Sequence, residues 1–216
     1  MTYTRRFPLT PFANRCVAMQ IVHYPHPVLR FKSGDVTRID DRFHATVRQM
    51  FELMYAANGI GLAANQVGLP LRFFIMNPSG EPEETEDELV LINPVIRNRK
   101  GNVVGEEGCL SLPGLYGDVR RAEEVVVDAF DLSGQGIRIE LQELPARVVQ
   151  HEFDHLDGTL FIDRISEQQQ RELEDKLPPF MAEFQAQRDA GELGTEAQIQ
   201  EQLKSIAASG AVPEEW

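Results

Sequence analysis

The sequence predicts an α+β protein: antiparallel or mixed β-sheets around a central helix, with further helices at the C-terminal end. Three observations carry that expectation. Apolar residues at helical spacing mark one helix before residue 60 and another near residue 150. Runs rich in β-branched residues, bounded by Gly, Pro, Asn and Ser, fill much of the chain between them. Beyond Ser166 the pattern is helical again, broken by Pro and Gly.

Residues 1–18 read as separate from the rest of the chain. MQIVHYPHPVLR begins afresh at Met19 with an apolar, β-branched stretch, so Met19 is a candidate true start. The preceding segment is then either a disordered or mis-assigned leader or a targeting or docking arm. DDRFHATVRQMFELMYAAN places Phe43, Val47, Met50, Phe51, Met54 and Tyr55 on one helix face, with acidic residues at its start and Asn58-Gly59 as its stop. His44 on this helix reads as a surface or packing histidine. LRFFIMN, ELVLINPVI, EEVVVDAFDL and GIRIEL read as strands, and the charged EPEETEDE between the first two as a solvated loop. A helix over residues 146–157 buries Val148, Val149, Phe153 and Leu156 and stops at Gly158. In the tail, Pro178-Pro179 ends one helix, Gly191 a second, and Thr195 caps a third. The chain thus divides into a leader (1–18), a main domain (19–165) and a helical extension (166–216). That extension holds four basic and eleven acidic residues, a net charge of −7.

Composition narrows the classes. At 216 residues the chain is long enough to bury a real core as one domain with an appendage. With 42% hydrophobic and 25% charged residues it is an ordinary soluble composition. A net charge of −13 and a pI near 4.8 speak against direct DNA binding, because phosphate neutralisation needs Lys and Arg. No apolar run approaches the roughly 20 residues that span a bilayer, and the start lacks the apolar core of a secretory signal. Two cysteines, Cys16 and Cys109, make no disulfide framework, so a reducing cytoplasm fits best.

The chemistry begins at VVQHEFDHLDG. His151-Glu152-Phe153-Asp154-His155 has H-E-x-x-H spacing, which stacks two imidazoles on one helix face where they can grip one metal ion. A third ligand is needed. The metzincin pattern fails because its last position is Phe161, which cannot bind metal. Glu167, Glu172 and Glu174 could serve a thermolysin-type site, but they sit in an ordinary charged helix that reads as a solvated face. Upstream, GNVVGEEGCLSLPG places Cys109 in a Gly-flanked segment too short and irregular for a plain core strand. Alone, Cys109 reads as a structural cysteine. With the two histidines it gives a Cys-His₂ set whose fourth position stays open for water.

GIGLAANQVG (residues 59–68), EGCLS (107–111) and QHEFDH (150–155) are similar, in order and spacing, to the three motifs of the peptide deformylase family. The resemblance runs from about residue 19 to residue 165 and includes IVHYPHPVLR. It implies a metal-dependent hydrolase that removes the formyl group from N-formylmethionyl peptides. Its metal ligands are Cys109, His151 and His155; its metal is Fe²⁺, with Zn²⁺, Ni²⁺ or Co²⁺ able to substitute. Glu152 is the implied general base and acid toward the attacking water, and Gln66 with the backbone N–H of Leu110 the implied oxyanion donors. Gly59 and Gly61 remove bulk where the substrate backbone approaches, and Ile60, Leu110, Leu144 and Val148 line the methionine pocket. Two departures stand out. Tyr116 occupies a place where many members carry a basic residue, and the acidic tail does not suit ribosome docking through a basic C-terminal helix. Transient ribosome association by another route stays open. Arg121 is read as pairing with Glu107 behind the site. The competing readings are a relative acting on another small N-acyl substrate and, further back, a metal-dependent endopeptidase.

Overall fold

The computed structural model describes residues 19–214 and 216; residues 1–18, read above as a leader and holding Cys16, lie outside them. Helix α1 (Asp41–Ala56) starts where Asp40 accepts the Phe43 N–H at 2.9 Å, satisfying one of the helix's unpaired donors. It stops at Asn58, whose φ of 54° is a left-handed turn that Asn tolerates. Seven strands follow: β1 (Gly61–Ala63), β2 (Phe73–Met76), β3 (Leu89–Lys100), β4 (Val103–Gly108), β5 (Tyr116–Arg121), β6 (Glu124–Phe130) and β7 (Gly136–Gln142). Five form an antiparallel sheet in the order β1-β2-β3-β6-β7, while β4 and β5 pair as a separate two-stranded sheet.

Helix α2 (Glu143–Leu156) packs across β1, β2, β6 and β7. The alternation of β2 explains its unbroken apolar run. Phe73 and Ile75 enter the cluster under α1, whereas Phe74 and Met76 enter the one under α2. Gln150 ties α2 to the chain between β5 and β6, accepting the Ala122 N–H at 3.0 Å and donating to the Ala122 carbonyl at 2.9 Å. The opening segment joins two motifs: Val22 N–H donates to the Gln66 carbonyl at 2.7 Å and Tyr24 N–H to that of Ser111 at 3.0 Å.

Three differences from the sequence reading have physical causes. The stretch before Cys109, read as irregular, is the regular strand β4; Val103 and Val104 point to solvent, so its apolar pattern is not that of a core strand. Helix α2 begins three residues earlier than its apolar spacing indicates. Pro178-Pro179 forms the first turn of a helix, where its missing N–H is harmless.

The C-terminal helices α3 (Glu167–Glu174), α4 (Pro178–Asp189) and α5 (Glu196–Ser209) lie against the domain. Thr195 and Gln198 form the capping box of α5. Ile199 and Leu203 of α5 complete the cluster around Val28, Leu29 and Phe161, while Ile206 and Val212 complete the cluster under α1. A side chain at Gly34 would collide with the Ala207 backbone, so glycine lets α5 seat.

Candidate active site

Helix α2 is amphipathic by sequence yet buried on almost every side, because His151, Glu152, Asp154 and His155 all turn into the protein. Buried polar groups need partners, and most of these have them. Nδ1 of His151 lies 2.9 Å from Glu107 Oε2 and donates to it. Glu107 in turn accepts Arg121 through both oxygens, at 2.9 and 2.8 Å, and Arg147 at 2.7 Å. Arg121 also reaches Asp154, which Arg164 holds from the other side. The pairing of Arg121 with Glu107 is therefore one part of a larger buried charge network that ends on an imidazole. Burial alone would raise the Glu107 pKa, but Arg121 and His151 hold it well below the usual carboxylate range.

The structure brings together Cys109, His151 and His155, whose ligand atoms lie within 4.8 Å of one another; among the described residues they form the one such group. Cys109 Sγ stands 3.3 Å from His155 Nε2. Glu167, Glu172 and Glu174 are exposed on α3, and Phe161 is core, its ring stacked 6.5 Å from that of His151.

The donor set suits a cation on three counts. With Nδ1 of His151 committed to Glu107, its Nε2 is left for the centre. Burial disfavours a charged His151, yet the bonds to Cys109 and Glu107 outweigh it and hold the pKa well above the histidine range; a cation bound at Nε2 would take the place of the proton that the metal-free ring carries there. His155 is held well below that range, by burial first and the charge at His151 second, which keeps its ring neutral as a ligand must be.

Glu152 is 3% exposed, and its Oε2 has no hydrogen-bond partner among the described residues. Burial pushes its carboxyl up to about 7. Gln66 is oriented by the backbone: its Oε1 accepts the Ala63 N–H at 2.8 Å, so Nε2 faces Cys109 Sγ at 3.4 Å and Ser111 Oγ at 3.3 Å.

These groups open into a cleft of about 660 Å³ lined by Gly59, Ile60, Gly61, Gln66, Cys109, Leu110, Leu144, Val148, His151 and Glu152, with His155 buried behind. Leu144 is half-exposed, at the rim. The two glycines are required by the protein itself. A Cβ on Gly61 would stand 2.5 Å from Glu152 Oε1, and one on Gly59 2.6 Å from Leu110 Cδ1. Tyr116 lies on the wall with Ile21 and His23 of the opening segment, which sequence reasoning did not connect to the site. It also missed Arg147, Asp154 and Asn65. Asp154 and Asn65 stand inside quoted motifs, Asn65 donating to the His155 carbonyl, whereas nothing local marks Arg147.

A thiol and two imidazoles converging beside a buried carboxylate, at the floor of a cleft, define a metal-dependent hydrolase centre. The family model for polypeptide deformylase matches residues 18–171. A peptide deformylase of Rhodopirellula baltica is 45% identical over 184 residues, covering 85% of this chain and 91% of that one. The chloroplastic/mitochondrial peptide deformylase 1B of Arabidopsis thaliana is 46% identical over 151 residues, 69% of this chain and 55% of its own length. A crystal structure of the Arabidopsis 1B enzyme with an inhibitor superposes with a TM-score of 0.75 at 41% identity, covering 82% of this chain and 97% of that one. The chain belongs to the polypeptide deformylase family. Removal of the formyl group from N-formylmethionyl peptides, the hydrolysis of a linear amide, is the family's function.

Proposed function

We propose that Cys109, His151 and His155 hold a divalent cation, Fe²⁺ first among them with Zn²⁺, Ni²⁺ or Co²⁺ able to substitute, and that the chain uses it to deformylate nascent peptides. The observation that carries this reading is the buried Glu152 carboxyl set beside the three converging donors. When bound, the cation supplies Lewis acidity that brings the pKa of water toward neutrality. A thiolate donor softens the set and suits Fe²⁺ or Zn²⁺.

The chain's own groups do the rest. Glu152, with a pKa near the working pH, takes the proton of the attacking water and returns it to the departing amine nitrogen. Gln66 Nε2, aimed by the Ala63 N–H, donates to the oxygen that gains charge as the formyl carbon becomes tetrahedral, and the Leu110 N–H is the second donor. Ile60, Leu110, Leu144 and Val148 offer the methionine side chain an apolar wall, while Gly59 and Gly61 let the peptide backbone approach. Tyr116, 59% exposed on the cleft wall, tunes the reach beyond methionine by contact rather than charge.

The acidic extension argues against ribosome docking through a basic C-terminal helix, and the burial of Ile199, Leu203 and Ile206 supports packing as its role. No helix among the described residues is long and apolar enough to cross a membrane. The two-cysteine composition supports a reducing compartment, the cytoplasm.

The test is formate release from formyl-Met-Ala-Ser by enzyme prepared anaerobically with Fe²⁺, beside Glu152→Ala and an acetyl-Met-Ala-Ser control. Formate release abolished by the substitution, with no acetate released, is the expected result. Folded, metal-loaded protein that yields no formate would overturn the reading.

A further inference from the structure

We propose that Arg147 is a positioning residue: its guanidinium fixes the Cys109-bearing strand against the His151-bearing helix and so sets the spacing of the metal donors. The inference rests on the reading of Cys109, His151 and His155 as ligands. Those ligands come from two separate pieces of chain. Strand β4 runs straight into Cys109, while both histidines stand on α2. A site of this kind works only when its members are held to within about 0.5 Å.

Arg147 stands one helical turn before His151, on the same face of α2. Its Nη1 donates to the carbonyls of Gly105 at 3.2 Å and Val119 at 3.0 Å, as well as to Glu107 Oε1 at 2.7 Å. Its Nη2 donates to the Val103 carbonyl at 3.1 Å. One side chain thus binds both strands of the β4–β5 sheet and the carboxylate that orients His151. Gly105 completes the fit. A Cβ there would stand 2.9 Å from Arg147 Nη2 and 3.0 Å from its Cζ, so glycine lets the guanidinium lie against the strand. A lysine could reach Glu107 but could not span the same acceptors, because its charge sits on one nitrogen.

A purely structural clamp would change stability and leave the metal centre alone, so the test reads the centre directly. Full-length wild type, Arg147→Met, Arg147→Lys and Gly105→Ala are stripped of metal and titrated with Co²⁺ against a competing chelator. The thiolate-to-Co²⁺ absorption and the d–d bands are recorded, and the unfolding of the metal-free proteins is measured separately. In Arg147→Met, Co²⁺ binding is expected to weaken about 10–100-fold with altered d–d bands, the range seen when a supporting partner of a ligand is lost. Arg147→Lys falls between, and Gly105→Ala shifts the bands in the same direction. Folded Arg147→Met with wild-type spectrum and affinity within twofold would overturn the proposal. Should that variant not fold, Arg147→Lys and Gly105→Ala decide by the same criterion. Wild type that takes up Co²⁺ without a thiolate band sinks the ligand reading and this proposal with it, whereas a normal wild-type band with unchanged variants sinks the role of Arg147 alone.

Discussion

Glu107 and His151 form a carboxylate–imidazole pair at 2.9 Å, which fixes both the ring's rotation and its tautomer. Glu107→Gln keeps the shape but removes the charge that favours a proton on Nδ1. Metal affinity is expected to fall about 10–100-fold, measured by chelator competition. The metal-free proteins differ in acid as well. Because the folded Glu107 pKa lies below its unfolded value, its stabilisation is fully present above the ordinary carboxylate pKa and is lost as pH falls below it. The stability gap between wild type and Glu107→Gln should therefore close in acid; a gap constant from neutrality to low pH would contradict this.

Arg121 serves two buried carboxylates, so Arg121→Ala leaves both Glu107 and Asp154 short of a partner. A loss of about 3–5 kcal/mol is expected in denaturant unfolding. Activity per folded molecule should stay close to wild type, since Arg147 and His151 still hold Glu107. Unchanged stability would refute the assigned role.

Gly61→Ala places a methyl group against Glu152 Oε1 and Val148. The carboxyl must move, and kcat/KM should drop by about 10²–10⁴, the usual contribution of a positioned acid or base. Thermal melting separates this from misfolding: a melting point near wild type with the activity gone is the expected pair of results.

His26 accepts the Val28 N–H through Nδ1 at 3.2 Å, and burial lowers its pKa to about 4. Accepting that bond requires an unprotonated nitrogen. Between the unfolded value near 6.5 and about 4, the unfolded chain binds a proton that the fold refuses, so stability falls as pH drops through this window and is unaffected above it. His26→Asn keeps an acceptor for the turn without titrating. Unfolding measured at pH 8, 6 and 5 should show a shallower decline in the variant than in wild type; parallel declines would exclude His26 as a source.

What could be read from the sequence was whatever chemistry confines to short range. His151 and His155 share a helix face by spacing alone, and Cys109 stands in a segment whose glycines set it apart. The runs that form β2, β3, β6 and β7 carry their own β-branched pattern. Strand β4 carries none that a core strand would show: Val103 and Val104 face solvent, Gly105 and Gly108 weaken the β signal, and its order comes from β5 and Arg147. Asp154 is similar. It reads as one more acidic residue between two histidines until folding delivers Arg121 and Arg164 to it. Ile21 and His23 reach the cleft wall only because backbone bonds tie their segment to Gln66 and Ser111.

The seating of α5 also sets a timetable. Thr37 Oγ1 meets the Ser209 carbonyl at 3.2 Å across 172 residues of chain, and α5 fills gaps in two apolar clusters most of whose other members lie far upstream. Closing so wide a loop adds little entropic penalty, because that penalty grows only with the logarithm of length. Its effect is on order of assembly. A chain emerging from its N-terminus can gather the sheet, α1 and α2 as they appear, but both clusters stay open to water until α5 arrives. Synthesis halted at Thr195 would release a protein that has Cys109, His151, Glu152 and His155 and an unsealed interior.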